Sequence, residues 1–281
     1  MPKAMVDDVE IYYETREEGS PLTLINGWGG SMDSWSPRML DKLATQHLVI
    51  TMDNRGTGRS GKPDIPYTME MMAADTAGLL DAVGVEKSHV MGFSMGGMVA
   101  QAVAINHPEK ASSLVLCGTS SGGVHRVNAD VHVQTELALI AYPLPEMTER
   151  DRTVKLLYLL YPRDYVDANL EALILDETYM DHPTPDYALN RQSQAIAGFD
   201  SYGQLPSLRM PVLVMTGEDD VLVPPGNSET LAERIPGAVL VKIPGAGHGF
   251  LKQRTDEAVP KILRFLKRVD EGLRLSSSKV H

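Results

Sequence analysis

The chain is 281 residues long, enough to bury a full core as one large domain or as a core carrying an insertion. A net charge of −11, with no Lys/Arg run longer than two residues, excludes a polyanion such as nucleic acid as partner. The single Cys117 excludes an intrachain disulfide framework and a cysteine-based zinc site.

Cys117 closes the apolar run Leu114-Val115-Leu116-Cys117 and reads as a buried, inert thiol. Met1 to Asp8 lack the apolar stretch of a signal peptide, and no segment approaches the ~18 apolar residues of a membrane span. The expectation is a soluble cytoplasmic protein with no membrane partner; its oligomeric state stays open. The 15 methionines fit an adaptable interior or pocket lining and not a cofactor site.

Residues 9 to 15 alternate apolar and polar, as in a half-exposed antiparallel strand. After a turn at 17 to 20, residues 21 to 25 form a more apolar strand that runs into Asn26-Gly27-Trp28-Gly29-Gly30. A glycine-rich loop directly after a buried strand lets backbone approach a ligand closely. A helix is predicted from Asp33 to Thr45 and a strand from His47 to Met52. The loop Asp53 to Gly61 has neither G-x-x-x-x-G-K-[ST] nor G-x-G-x-x-G, and reads as a structural turn, not a phosphate loop. Thr68 to Val83 carries apolar residues at helical spacing, among them Met69, Met72, Ala73, Leu79, Leu80 and Val83.

The next stretch organises the chain. His89 to Phe93 is a short apolar strand, and Met95 to Asn106 reads as a helix of small and apolar residues ended by His107-Pro108. Between them, Gly92-Phe93-Ser94-Met95-Gly96 has the G-x-S-x-G spacing of a sharp strand-to-helix turn that exposes its serine. A side chain at Gly92 or Gly96 is expected to collide with neighbouring backbone. Ser94 then sits at a helix N-terminus, where partial positive charge and the Met95 N–H favour an anion. Ser94 is the candidate nucleophile.

Ala111 to Gly118 and Pro211 to Thr216 are further buried strands. The interval between them far exceeds the roughly thirty residues of a whole βαβ unit, so it holds an inserted subdomain. Four segments there show helical spacing: 133 to 142, 148 to 161, 166 to 179 and 187 to 197. Tyr142, Leu144, Leu157, Tyr161 and Met180 are possible pocket contacts. The division is a core of 1–121 and 206–281 with a helical insertion at 122–205. Alternation then resumes, with a helix at 227 to 235, a strand at 238 to 243 and a terminal helix from about Lys252 to Leu273, interrupted near Pro260; 274 to 281 read as a frayed tail. Strands alternating with helices imply an α/β fold with a mostly parallel, doubly wound sheet, its ligand at the carboxyl ends of the strands.

Serine needs a base to take its proton, and the base needs a third group to orient it. Of eight histidines, His248 lies in a glycine-rich loop closing a predicted strand, Pro244-Gly245-Ala246-Gly247-His248-Gly249. His47, His89 and His107 sit at element ends and read as structural; His125, His132 and His182 fall in the insertion and His281 is terminal. The orienting acid should close another strand, and Glu218, Asp219 and Asp220 all follow the one at Pro211 to Thr216.

Taken together, these motifs resemble the α/β-hydrolase family, in particular its cap-bearing serine esterases and lactonases, over residues 9 to 270 apart from the insertion. Gly92 to Gly97 resembles the family's nucleophile elbow. Met52 to Ser60 resembles its structural D-x-R-G-x-G-x-S turn, and Gly247-His248 its histidine loop. Gly217 to Pro224 matches its G-x-x-D-x-x-x-P acid loop, which puts Asp220 in the acid position. Asn26-Gly27-Trp28-Gly29 resembles its H-G-x-G oxyanion loop, with Asn26 where His is usual. The resemblance implies an α/β-hydrolase fold, an oxyanion hole from the Trp28 and Met95 N–H groups, and an insertion that acts as a cap. It also implies hydrolysis of a small, mainly apolar carboxylic ester through an acyl-enzyme on Ser94, with His248 as base, Asp220 as orienting acid, and no metal or organic cofactor. Enol-lactonases, perhydrolases and carbon–carbon bond hydrolases use the same set of groups and are the alternatives.

Overall fold

The computed structural model describes residues 2–178 and 182–272. Its sheet has eight strands: β1 (Lys3–Val6), β2 (Val9–Arg16), β3 (Ser20–Ile25), β4 (His47–Met52), β5 (Ser88–Phe93), β6 (Ala111–Cys117), β7 (Val212–Gly217) and β8 (Val239–Ile243), in the order β1-β2-β4-β3-β5-β6-β7-β8. Strand β2 runs antiparallel to both its neighbours, and every pair from β4 to β8 is parallel. The mostly parallel α/β architecture is the one expected.

Alternation along the central strands builds a core on each face of the sheet. Met91, Val115, Leu213 and Met215 point to one side and pack with helices α1 (Pro37–Ala44) and α10 (Thr255–Asp270). Val90, Leu114, Leu116, Val212 and Val214 point to the other, against α2 (Met69–Ala82), α3 (Met95–Asn106) and α8 (Gly226–Arg234). Both faces are covered, which is why these strands read as continuous apolar runs. Four helices lie in the chain between β6 and β7: α4 (Val131–Ala141), α5 (Glu149–Leu160), α6 (Arg163–Thr178) and α7 (Asp186–Gly198), each overlapping its predicted segment.

Two local expectations are corrected, and one strand is added to the expected elements. Strand β1 was not predicted; four residues are too few to show a period, and β1 exists by pairing with β2. The first helix starts at Pro37 and not at Asp33. A short 3₁₀ turn occupies Met32–Ser34, and Ser36, restricted by the following proline, is extended at φ −58°, ψ 124°. The terminal helix breaks at Arg254, between α9 (Phe250–Gln253) and α10, while Pro260 lies inside α10. Pro260 lacks the N–H that would reach the Asp256 carbonyl, yet α10 continues through it; at Arg254 the backbone leaves helical geometry (φ −124°, ψ 40°), and its carbonyl accepts the Glu257 and Ala258 amides to restart the helix.

The expected tail at 274 to 281 lies outside the described residues, as does Met180. Among the described residues no helix is long and apolar enough to cross a membrane. Cys117 is buried, and burial pushes its thiol well above the usual range, as expected of an inert side chain.

Candidate active site

Ser94 stands between β5 and α3 at φ 55°, ψ −121°, a conformation that costs a side chain of this kind about 1–3 kcal/mol. Neighbouring backbone holds it there. The Ser94 N–H donates to the Cys117 carbonyl at 2.8 Å, and the Gly97 N–H donates to the Ser94 carbonyl at 2.9 Å. A Cβ on Gly92 would lie 2.1 Å from the Gly96 oxygen, and one on Gly96 would lie 2.1 Å from the Ile25 oxygen. Both glycines are therefore required by close backbone approach, as expected, and the strained serine is presented with its hydroxyl part-exposed in a cavity of about 420 Å³.

His248 lines the same cavity, in the loop after β8. Its ring lies 4.8 Å from that of Phe93, the residue before Ser94, and against Gly118, the residue after Cys117. Its Nδ1 meets Asp220 Oδ2 at 2.7 Å, in a pair whose side chains are 2% and 0% exposed. The other Asp220 oxygen accepts the Leu222 and Val223 amides at 3.0 and 2.8 Å. Glu218 and Asp219 are exposed, and the Asp219 amide is used to tie the two loops together through the Ala246 carbonyl at 2.9 Å. Of the three acidic residues after β7, the structure brings Asp220 to His248. With the Nδ1 proton held by the carboxylate, Nε2 is left as an acceptor.

The loop Asn26 to Gly30 faces Ser94 from the end of β3, with Gly27 against the serine Cβ. Asn26, which departs from the family's histidine, carries the loop's hydrogen bonding: Nδ2 donates to the Ser31 carbonyl at 2.7 Å, and Oδ1 accepts the Gly27 N–H at 2.7 Å. The Trp28 N–H makes no hydrogen bond among the described residues. Met95 is the first residue of α3 and has no carbonyl one turn back to bond. Two amide donors are thus available beside Ser94.

Sequence reasoning missed the way α7 reaches this loop. Gln192, fully buried, accepts the Gly29 N–H on Oε1 at 2.8 Å and donates from Nε2 to the Arg55 carbonyl at 3.3 Å. The Trp28 indole donates to the Leu189 carbonyl at 3.0 Å, and the Thr184 hydroxyl donates to the Gly29 carbonyl at 2.9 Å. Nothing in the local spacing around Gln192 signals this role, because its partners are over a hundred residues away.

The cavity wall also departs from expectation. Tyr161 lines it, whereas Leu157 is turned into the α5–α6 core with Val166, Leu173 and Ile174. Tyr142 and Leu144 are 61% and 48% exposed and do not line it. Their places are taken by Leu137, Ile140, Leu156 and Leu160. Each helix has an apolar stripe wide enough to serve both a core and a cavity, and spacing alone did not say which edge faced which.

The turn at 53 to 61 is internal scaffolding, as expected. Asp53 accepts the Met32 and Arg59 amides at 2.7 Å each, and Arg55 forms a buried bidentate pair with Asp75 at 2.6 and 2.7 Å. His47 and His89 lie at the opposite ends of the strands from Ser94, beside Ser20 and Asp270, and burial holds both imidazoles below their usual pKa.

A family model described as the alpha/beta hydrolase fold matches residues 20–255. "Putative carbamate hydrolase RutD" of Azorhizobium caulinodans is 33% identical over 273 residues, covering 96% of this chain and 100% of the relative. The enol-lactonase from Burkholderia xenovorans LB400 superposes with a TM-score of 0.80 at 26% identity, over 95% of this chain and 100% of that one. A thermophilic esterase from Thermogutta terrifontis, solved with malate bound, gives a TM-score of 0.80 at 26% identity, over 95% and 98% of the two chains. The chain belongs to the α/β-hydrolase family and is a hydrolase.

Proposed function

We propose that this α/β hydrolase is a serine hydrolase that cleaves small carboxylic esters through an acyl-enzyme on Ser94. The observation that carries the reading is one arrangement: a serine held at positive φ on the wall of an apolar cavity, sharing that cavity with a histidine whose Nδ1 is bound to a buried carboxylate at 2.7 Å. His248 takes the Ser94 proton on Nε2 as the hydroxyl attacks the ester carbonyl. The Trp28 and Met95 amides stabilise the oxyanion; losing one such donor costs about 2.7–4 kcal/mol of activation energy in a comparable enzyme. His248 then returns its proton to the leaving alcohol and activates water to release the acid, while Asp220 holds the tautomer throughout. Helices α4–α7 act as the cap, closing the cavity with Leu137, Ile140, Leu156 and Leu160 and so selecting the acyl chain.

A second reading is favoured by the names of the relatives. Lactones and carbamates present the same acyl carbon to the same groups, and both names occur among the relatives and structural neighbours. The decisive experiment has two arms. A fluorophosphonate probe should label one serine, and Ser94→Ala should abolish both labelling and hydrolysis while the protein still folds. A panel of aryl esters, lactones and carbamates then ranks the substrates. Labelling that persists in Ser94→Ala overturns the proposal.

A further inference from the structure

The cavity wall carries a cation with only a weak, exposed partner. One face of α5 lines the cavity with Glu149, Arg152, Thr153, Leu156 and Leu160, the spacing of a single helical stripe. The inner end of the stripe is apolar and is fixed beside the histidine loop, since the Leu160 carbonyl accepts the Gly249 N–H at 2.8 Å. Two turns further out, Arg152 is 20% exposed, and its ion-pair partner is Asp186 at 3.7 Å, a carboxylate that is itself 71% exposed. The Arg152 guanidinium makes no hydrogen bond among the described residues. An exposed partner at that distance neutralises little. The contrast with Lys252, the other long cation on the wall, is direct: Lys252 is bound to Asp176 at 2.5 Å.

Arg152 is a largely buried guanidinium on a mainly apolar wall that also carries the exposed Glu149 and the ion-paired Lys252, and its N–H donors are free to bind a ligand. Guanidinium presents five N–H donors in a fixed fork that matches a carboxylate. We infer that Arg152 is a specificity-determining residue that binds an ionised carboxylate on the substrate, so that the preferred substrates are esters or lactones bearing a second, anionic carboxylate. The inference rests on the ester-hydrolase reading of Ser94. Eight residues separate Leu160 from Arg152, so the carboxylate sits on the order of 12 Å along α5 from the reacting centre. The chain as a whole carries −11 and repels anions, so a local cation is what allows an anionic substrate to bind and what selects it over a neutral one.

The test uses two series of aryl or alkyl esters on the purified protein. In one, half-esters of dicarboxylic acids from succinate to sebacate are compared with neutral esters of equal chain length; in the other, the carboxylate is carried on the alcohol. The readout is the ratio of kcat/KM for the anionic ester to that for its neutral match. In the wild type this ratio should exceed one and peak at one chain length in at least one series. Arg152→Met should lower the peak ratio by about 10- to 100-fold, the loss expected for a charge-assisted hydrogen bond. Arg152→Lys should recover part of it, as a point charge without the fork. A wild-type ratio at or below one in both series, or an Arg152→Met variant that loses anionic and neutral substrates in equal proportion, overturns the inference. Hydrolysis of the neutral esters by the wild type reports separately on the ester-hydrolase reading, so the two failures are distinguishable.

Discussion

Asp220→Asn tests the orienting role most sharply, because the structure dictates what the amide must do. Asp220 Oδ1 accepts two backbone N–H groups, from Leu222 and Val223, and Oδ2 meets His248 Nδ1 at 2.7 Å. In Asp220→Asn the two backbone donors still need an oxygen, so the carboxamide oxygen takes that position and the NH₂ turns towards His248. Two donors cannot face each other. His248 must therefore move its proton from Nδ1 to Nε2, where it can no longer accept from Ser94. The expected loss in kcat is about 10⁴-fold, the size seen for the equivalent change in a serine protease. At about 1.36 kcal/mol per decade this is a barrier increase of about 5.4 kcal/mol. Folding should be little affected, since shape and the backbone hydrogen bonds are kept. Asp219→Asn is the control: Asp219 is exposed and should change kcat by less than about twofold, as surface substitutions usually do. The assay is kcat and KM on an aryl acetate, with melting temperature measured alongside. Retention of more than about a tenth of wild-type kcat by Asp220→Asn would refute the tautomer argument, as would a severe loss in Asp219→Asn instead.

Three further outcomes are expected. Gln192→Leu leaves the Gly29 N–H without its acceptor, at a cost of about 1–3 kcal/mol; kcat should fall by roughly 5- to 100-fold with a smaller change in KM, and Gln192→Glu, which keeps the acceptor, should recover part of it, whereas a change in melting temperature with kcat intact would make Gln192 merely structural. Gly96→Ala puts a Cβ 2.1 Å from the Ile25 carbonyl oxygen and should abolish serine labelling and soluble expression, while Gly198→Ala, with nothing within 4 Å, should be neutral or stabilising by about 0.4–1 kcal/mol in a denaturant titration; equal tolerance of both would contradict the close-approach argument. Burial lowers the pKa of His47, which faces His89, Asp270 and Ser20, and of His89, which faces Asp270, Ser112 and Ser113. The unfolded chain therefore takes up protons first as pH falls below about 6.5, so stability present above that value declines on acidification; His47→Gln should flatten the melting-temperature slope between about pH 6.5 and 5, and an unchanged slope in both His47→Gln and His89→Gln would refute the assignment.

Local chemistry was legible along the chain. The elbow reads from five residues because only glycine tolerates backbone at 2.1 Å on both sides of Ser94, and β5 and α3 read from an apolar run and its stop signal at His107-Pro108. The loops carrying Asp220 and His248 read from their position after strands. Deciding among Glu218, Asp219 and Asp220 needed the resemblance to a family, since all three satisfy the local criterion; in the fold they separate because one is buried against an imidazole and two face water.

What only the tertiary structure decided depends on groups far apart in sequence. Gln192 looks like an ordinary polar residue in a helix until α7 is laid over a loop more than 160 residues earlier. Leu156 and Leu157 are adjacent and equally apolar, yet one faces the cavity and the other the α6 core, because helix rotation is set by what each face packs against. Arg152 reads as one more surface cation until the wall it belongs to is closed around it. Periodicity reports that a face will be buried; which partner buries it is a property of the folded chain, because the partner is selected by long-range contacts that no local spacing encodes.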